Sequence, residues 1–275
     1  MAGLIARDEA APAGAPAPAP LPPDRTGIGA SRSVYPFIDA AKKIEADWVA
    51  LKNATARAKA LGAAANVQLK AAGVPEVKVR VKKMSNLGEL DFATWTLDIG
   101  KDAFAKAAAS RSEIGDAAET VYHEARHAEQ WFRMARLQAG KGWNAWKIAT
   151  KLGIPLKIAK AAVANPLAAG AGTEATEAGA WFESVYGTGR KHREKTLKSL
   201  PKIRKKLKAA RAALAKLDKN PKATEKQKEA ARKKVEDLEK EAATAYDAYR
   251  ALPEEADAWD VGGEASTQWL LYERI

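Results

Sequence analysis

The chain of 275 residues contains no cysteine. Disulfide staples, thiolate metal sites and cysteine nucleophiles are therefore excluded. Histidine is scarce, with three in all, so any imidazole chemistry must be built from His123, His127 and His192. Long apolar runs are missing: no stretch approaches the roughly 18 apolar residues of a membrane-spanning helix. The first ten residues carry Arg7, Asp8 and Glu9 and lack an apolar segment of signal-peptide length. The expectation is a protein that is cytoplasmic in the producing cell, with export only by a route other than general secretion.

What remains is an ordinary globular balance, with 47% hydrophobic and 29% charged residues, long enough for one large domain or two small ones. The net charge of +12 is concentrated: Arg190 to Lys216 holds 12 Lys/Arg against a single acid, Glu194. Charge so localised attracts nucleic acid, anionic lipid or an acidic partner protein; the plain alternative is a solvated helix face. The eight tryptophans mostly fall on apolar stripes, which marks them as core and not as a base-stacking set. Trp143 to Ala162, with its spaced lysines, reads as a partly buried basic helix in preference to a membrane-surface one.

Patterning divides the chain. Residues 1–32 form an arm whose Ala/Pro alternation from Ala11 to Asp24 cannot bury a core and reads as disordered. Folding is expected to begin near Ser33. Tyr35 to Ala72 is helix-like, with Ile38, Ala41, Ile44, Trp48 and Leu51 on one stripe. Glu76–Lys83 and Leu90–Ile99 read as two strands of an antiparallel hairpin. Ser112 to Leu137 is a helix with Ser112 as N-cap. Helices are also expected at Trp143–Leu167, with a break near Pro155, and at Thr173–Tyr186. Ser199 to Arg250 reads as a helical hairpin turning at Asp218–Pro221, with a capping box at Thr224 and Gln227. The segment from Leu252 holds a short acidic helix and an aromatic tail. The expected fold is mainly α with a small antiparallel β hairpin, an α+β arrangement. It comprises a core at 33–189, a basic helical hairpin at 190–250 and a C-terminal segment at 251–275.

The chemistry concentrates in His123-Glu124-Ala125-Arg126-His127. Histidines four apart lie on one face of a helix, so both imidazoles can reach one metal ion. Glu124 is placed to take a proton from water at that metal. Zinc suits neutral imidazole nitrogen. With so few histidines, chance yields this pattern in roughly one shuffled chain in four hundred. The plain alternative is a pair of histidines on an ordinary helix.

A helix, two strands and then the His-Glu helix is an order similar to that of zincin metallopeptidases. Gln130 and Arg133 stand where metzincins carry Gly and His, so the resemblance is to gluzincins, whose third ligand is a later carboxylate. Leu252-Pro253-Glu254-Glu255-Ala256-Asp257-Ala258-Trp259 resembles the third-ligand stretch of ImmA/IrrE-type metallopeptidases. That resemblance implies Glu255 as ligand, Glu124 as general base, and Asp257 orienting a ligand histidine. Glu254, and Glu174, Glu177 and Glu183 on the preceding helix, remain open as third ligands. His192 sits among Lys191, Arg193 and Lys195, whose charge disfavours a cation. The segment Tyr122 to Trp131 also resembles the metallopeptidase-like domains of extracellular contractile injection systems and polymorphic toxins. It implies zinc-dependent hydrolysis of a peptide or protein substrate, by a toxin or effector whose N-terminal arm engages a secretion or injection apparatus. The competing reading is a degenerate zincin that binds nucleic acid, anionic lipid or an acidic protein through its basic coiled-coil hairpin. In the enzyme, extended substrate would pair with Leu90–Ile99 as an edge strand.

Overall fold

A computed structural model describes residues 25–272 except 85, 169 and 171. The Ala/Pro segment 11–24 lies outside the described residues. The chain divides into two compact units, Met1–Trp181 with Asp257–Ile275, and Phe182–Ala256. Most described residues are helical, and the sheet is small, three-stranded and mixed. No described helix is long and apolar enough to cross a membrane.

In the first unit, structure begins earlier than Ser33, at a 3-10 turn over Gly27–Gly29. Ile28 is fully buried, and its backbone is gripped from both sides. Its N–H donates to Glu129 at 3.1 Å, and its carbonyl accepts from Tyr122 Oη at 2.8 Å. Residues 25–32 therefore belong to the folded body and not to the arm.

Helices α1 (Ser31–Ala46) and α2 (Ala54–Ala71) replace the single helix expected over 35–72. The break comes from Asn53, whose side chain accepts from Ala56 N–H at 3.0 Å and caps a new helix. Arg57 then locks the link: its buried guanidinium donates to the carbonyls of Trp48, Phe104 and Ala105 at 2.9–3.1 Å. The short helix α3 spans Lys101–Ala105.

The sheet corrects the expected hairpin. Strands β1 (Lys78–Lys82), β2 (Gly88–Asp91) and β3 (Thr96–Gly100) lie in the order β1-β3-β2. β1 runs parallel to β3, with Arg80 opposite Asp98, while β2 pairs antiparallel with β3, with Leu90 opposite Leu97. Leu90–Ile99 is two strands because Asp91 nucleates a turn: its carboxylate accepts from Ala93 N–H, Thr94 N–H and Thr94 Oγ1. Trp95 completes that turn at φ 60° and is held there by burial and by its Nε1–H donating to Pro75 O at 3.1 Å. Thr96 consequently lies on the central strand, between the edge strands β1 and β2.

Helix α4 (Arg111–Gly140) is the axis of this unit. Its N-cap is Ser110, not Ser112, with Glu113 completing a reciprocal capping box. From Ile114 to Gln138 nearly every side chain is buried, so α4 is enclosed on all sides despite its many polar residues. Helices α5 (Ala145–Leu152), α6 (Leu156–Ala164) and α7 (Gly172–Val185) follow. Six of the eight tryptophans are buried; Trp146 is 70% exposed.

In the second unit, α8 (Arg190–Asp218) and α9 (Glu225–Arg250) pair. α8 begins nine residues before the expected Ser199. Leu197 and Leu200 cluster with Ala245, Tyr246 and Tyr249, Arg211 meets Glu239 at 2.9 Å, and Asp218 meets Arg232 at 3.7 Å. Partners descend one helix as they ascend the other, so the pair is antiparallel. The Thr224–Gln227 capping box is present. The final helix α10 (Pro253–Leu271) is one continuous element where a short helix and tail were expected.

Candidate metal centre

Three of the expected residues converge. One donor atom each from His123, His127 and Glu255 lie within 4.8 Å of one another, and all three residues are buried. The histidines come together because they are one helical turn apart on α4; their rings sit edge to face with centroids 4.9 Å apart. Glu255 stands on the first turn of α10 and accepts from Tyr249 Oη at 2.6 Å. Two imidazoles and a carboxylate make a donor set that could hold a metal ion.

The rival carboxylates are committed elsewhere. Glu254 pairs with Arg193 at 2.5 Å. Glu174 faces Arg133 and Arg136, Glu177 pairs with Arg133 at 2.7 Å, and Glu183 accepts from Thr188. His192 is exposed and takes no part in the cluster.

Two close approaches let the neighbouring elements reach α4. A Cβ on Gly262 of α10 would stand 3.3 Å from His123 Cβ and 3.4 Å from Glu119 Cγ, and one on Gly88 of β2 would stand 2.8 Å from Thr120 Cγ2. Gly88 brings β2 over Glu124, where Leu90 N–H donates to Glu124 Oε2 at 2.7 Å. Trp259 adds a wall, its ring 4.9 Å from His123. For Gly262 the sequence signal was a glycine inside a helix, which weakens it unless something must come near; Gly88, at the first position of β2, reads as an ordinary turn residue.

Asp257 acts on a histidine as expected, but through an intermediary. Its carboxylate accepts from Gln130 Nε2 at 2.7 Å. That fixes the amide so that Gln130 Oε1 faces His127 Nδ1 at 2.8 Å. An amide oxygen can only accept, so His127 carries its proton on Nδ1, and Nε2 keeps the lone pair a metal needs. Gln130, a mark of departure from the metzincin pattern, is thus the residue that sets the tautomer.

Behind this lies a buried ionic array that sequence reading did not anticipate. Arg126 donates to Asp257 at 2.7 and 3.0 Å and to Glu129 at 2.5 Å. Arg133 donates to Glu129 at 2.6 Å and to Glu177 at 2.7 Å. Burial alone would lower the Arg126 guanidinium, but the charges of Glu129 and Asp257 outweigh it and raise it. Burial likewise pushes Asp257 up, yet the Arg126 charge, with hydrogen bonds from Arg126 and Gln130, holds it below its usual value. For Glu177 burial wins over Arg126 and Arg133, and its carboxyl is raised. The signal was present in the spacing of Arg126, Glu129 and Arg133, which fits helical ion pairs. Such spacing usually marks a solvated face, whereas here the face is interior.

Comparison of the chain with protein-family models, with curated proteins and with solved structures finds no match.

Proposed function

We propose that the protein is a zinc-dependent metallopeptidase of gluzincin type, hydrolysing peptide bonds with His123, His127 and Glu255 as metal ligands and Glu124 as general base. The observation that carries the reading is the convergence of Glu255 with the two histidines, since a late carboxylate is the part of the pattern least expected from chance. The order α2, sheet, α4, α10 supports the reading of the fold as zincin-like, with the α8–α9 hairpin inserted between α7 and α10, by analogy only.

Zinc held by this donor set supplies Lewis acidity and lowers the pKa of water that it binds. The chain's own residues do the rest. Gln130 and Asp257 hold His127 in the ligating tautomer. Leu90 N–H anchors one oxygen of the Glu124 carboxylate, and that carboxylate takes the proton from the attacking water and returns it to the leaving amine. The β2 edge beside Glu124, not β3, is the place where an extended peptide would pair.

The test joins metal content to activity. Purified full-length protein should hold one zinc, and His127→Ala should lose it. Glu124→Gln should keep zinc while cleavage of a peptide library falls by about 10²–10⁴-fold. Zinc retained in full by His127→Ala, or an undiminished rate in Glu124→Gln, would reject the assignment.

A further inference from the structure

The α8 helix carries a charged surface that the peptidase reading does not use. Lys191, Lys195, Lys198, Lys202, Lys205 and Lys206 are all exposed. At 3.6 residues per turn they fall within about 100° of helical arc and run for about 22 Å. The face that packs inward, with Thr196, Leu200 and Ile203 buried, is centred on the opposite side of the helix. The lysines therefore form the outer ridge of the hairpin. Glu194, the one acid beside them, is engaged by Arg190 at 2.8 Å and Lys198 at 3.4 Å.

We infer that this ridge binds the phosphate backbone of double-stranded nucleic acid, without reading its sequence. Three observations select that partner. The ridge is one helix wide: a helix with side chains is about 10–12 Å across, close to the roughly 12 Å width of the B-DNA major groove. Lysines fanned across an arc reach phosphates on both groove walls, whereas a flat lipid surface meets only the crest. Second, among the described residues of α8 and α9 no large apolar side chain is exposed, so the hairpin offers nothing to insert into a bilayer. Third, the six positions include no arginine, asparagine or glutamine, and the compact ammonium of lysine acts as a point charge suited to phosphate oxygens. Charge of a single sign recurring over about 22 Å also matches a uniformly charged polymer spanning about six base pairs.

The experiment uses full-length protein and a fluorescent duplex of about 20 base pairs of arbitrary sequence. Neutralising about six phosphates gives a slope of log K against log salt near −5, a loss of about 10³-fold in affinity between 50 and 200 mM salt. Scrambling the duplex sequence should change affinity less than about threefold. Changing all six lysines to Gln, which keeps helix propensity, should weaken duplex binding by at least about 100-fold with unchanged circular dichroism. A comparison variant with Lys226→Gln, Lys233→Gln and Lys234→Gln on α9 should lose far less for each charge removed. Vesicles with about 30% phosphatidylserine and polyglutamate serve as rival ligands. The inference is overturned if the wild type fails to bind duplex at 50 mM salt. It is equally overturned if α9 substitutions weaken binding as much per charge, or if vesicles or polyglutamate compete as well as unlabelled duplex. The salt slope and competition arms need no variant, and none of the arms depends on zinc or peptidase activity.

Discussion

Helices α4 and α8 are nearly equal in length and both rich in charge, yet they treat it in opposite ways. On α4, Arg126, Glu129 and Arg133 are buried, and each finds partners inside the fold. On α8, every lysine and arginine except Arg193 and Arg204 is exposed. Arg193, the buried one, is paired with Glu254. The difference teaches which charges are structural. A charge withdrawn from water is costly unless the fold answers it, whereas a solvated charge is left available to something outside.

The contrast breaks most visibly at Glu129, which accepts from Arg126, Arg133 and the backbone of Ile28. Glu129→Leu leaves two buried guanidinium groups without their shared counter-charge. It should cost about 3–5 kcal/mol, a fall of roughly 6–20 °C in the melting temperature. Urea denaturation of zinc-free protein isolates this from the metal. A loss below 1 kcal/mol would show that the array is not stabilised by its pairing.

A smaller effect is expected where the array meets the proposed metal. Gln130→Leu removes the acceptor that sets the His127 tautomer, and Asp257→Asn loosens the amide that does the setting. Each should weaken zinc binding by about 10–100-fold in chelator competition. The ligands themselves remain, so full zinc content should return at saturating metal. An unchanged affinity in Gln130→Leu would mean that His127 is oriented by its packing alone.

How far these regions could be read from sequence follows the same line. The His-Glu motif, the hairpin seams and Glu255 depend on local periodicity and a short pattern, and His123, His127 and Glu255 do converge. The single helix over 35–72 failed because Asn53 is a cap, which an apolar stripe spanning Trp48 and Leu51 obscured. The antiparallel hairpin failed because the partner of a strand is a tertiary choice: β1 pairs in parallel with β3, which follows β2 in the chain, and nothing local states that. The role of Gln130 was hidden for a related reason. Its meaning lies in Asp257, far along the chain, and only the approach of α10 at Gly262 joins them.

The smallest effect belongs to the hairpin. Arg211 and Glu239 form an ion pair at 2.9 Å, with both side chains nearly half exposed. Solvent screens such a pair, and ordering two long side chains opposes it, so its coupling should be under about 1 kcal/mol. A double-mutant cycle with Arg211→Gln and Glu239→Gln, read by urea denaturation, measures that coupling directly. It should shrink further in 1 M salt, where the Debye length falls to about 3 Å. The same substitutions at Arg126 and Asp257, where Arg126 is fully buried, should give a coupling several-fold larger and nearly indifferent to salt. Were the two cycles to agree, burial would not be what separates the helices. The lysine ridge could then not be assigned to an outside partner merely because its charges are exposed.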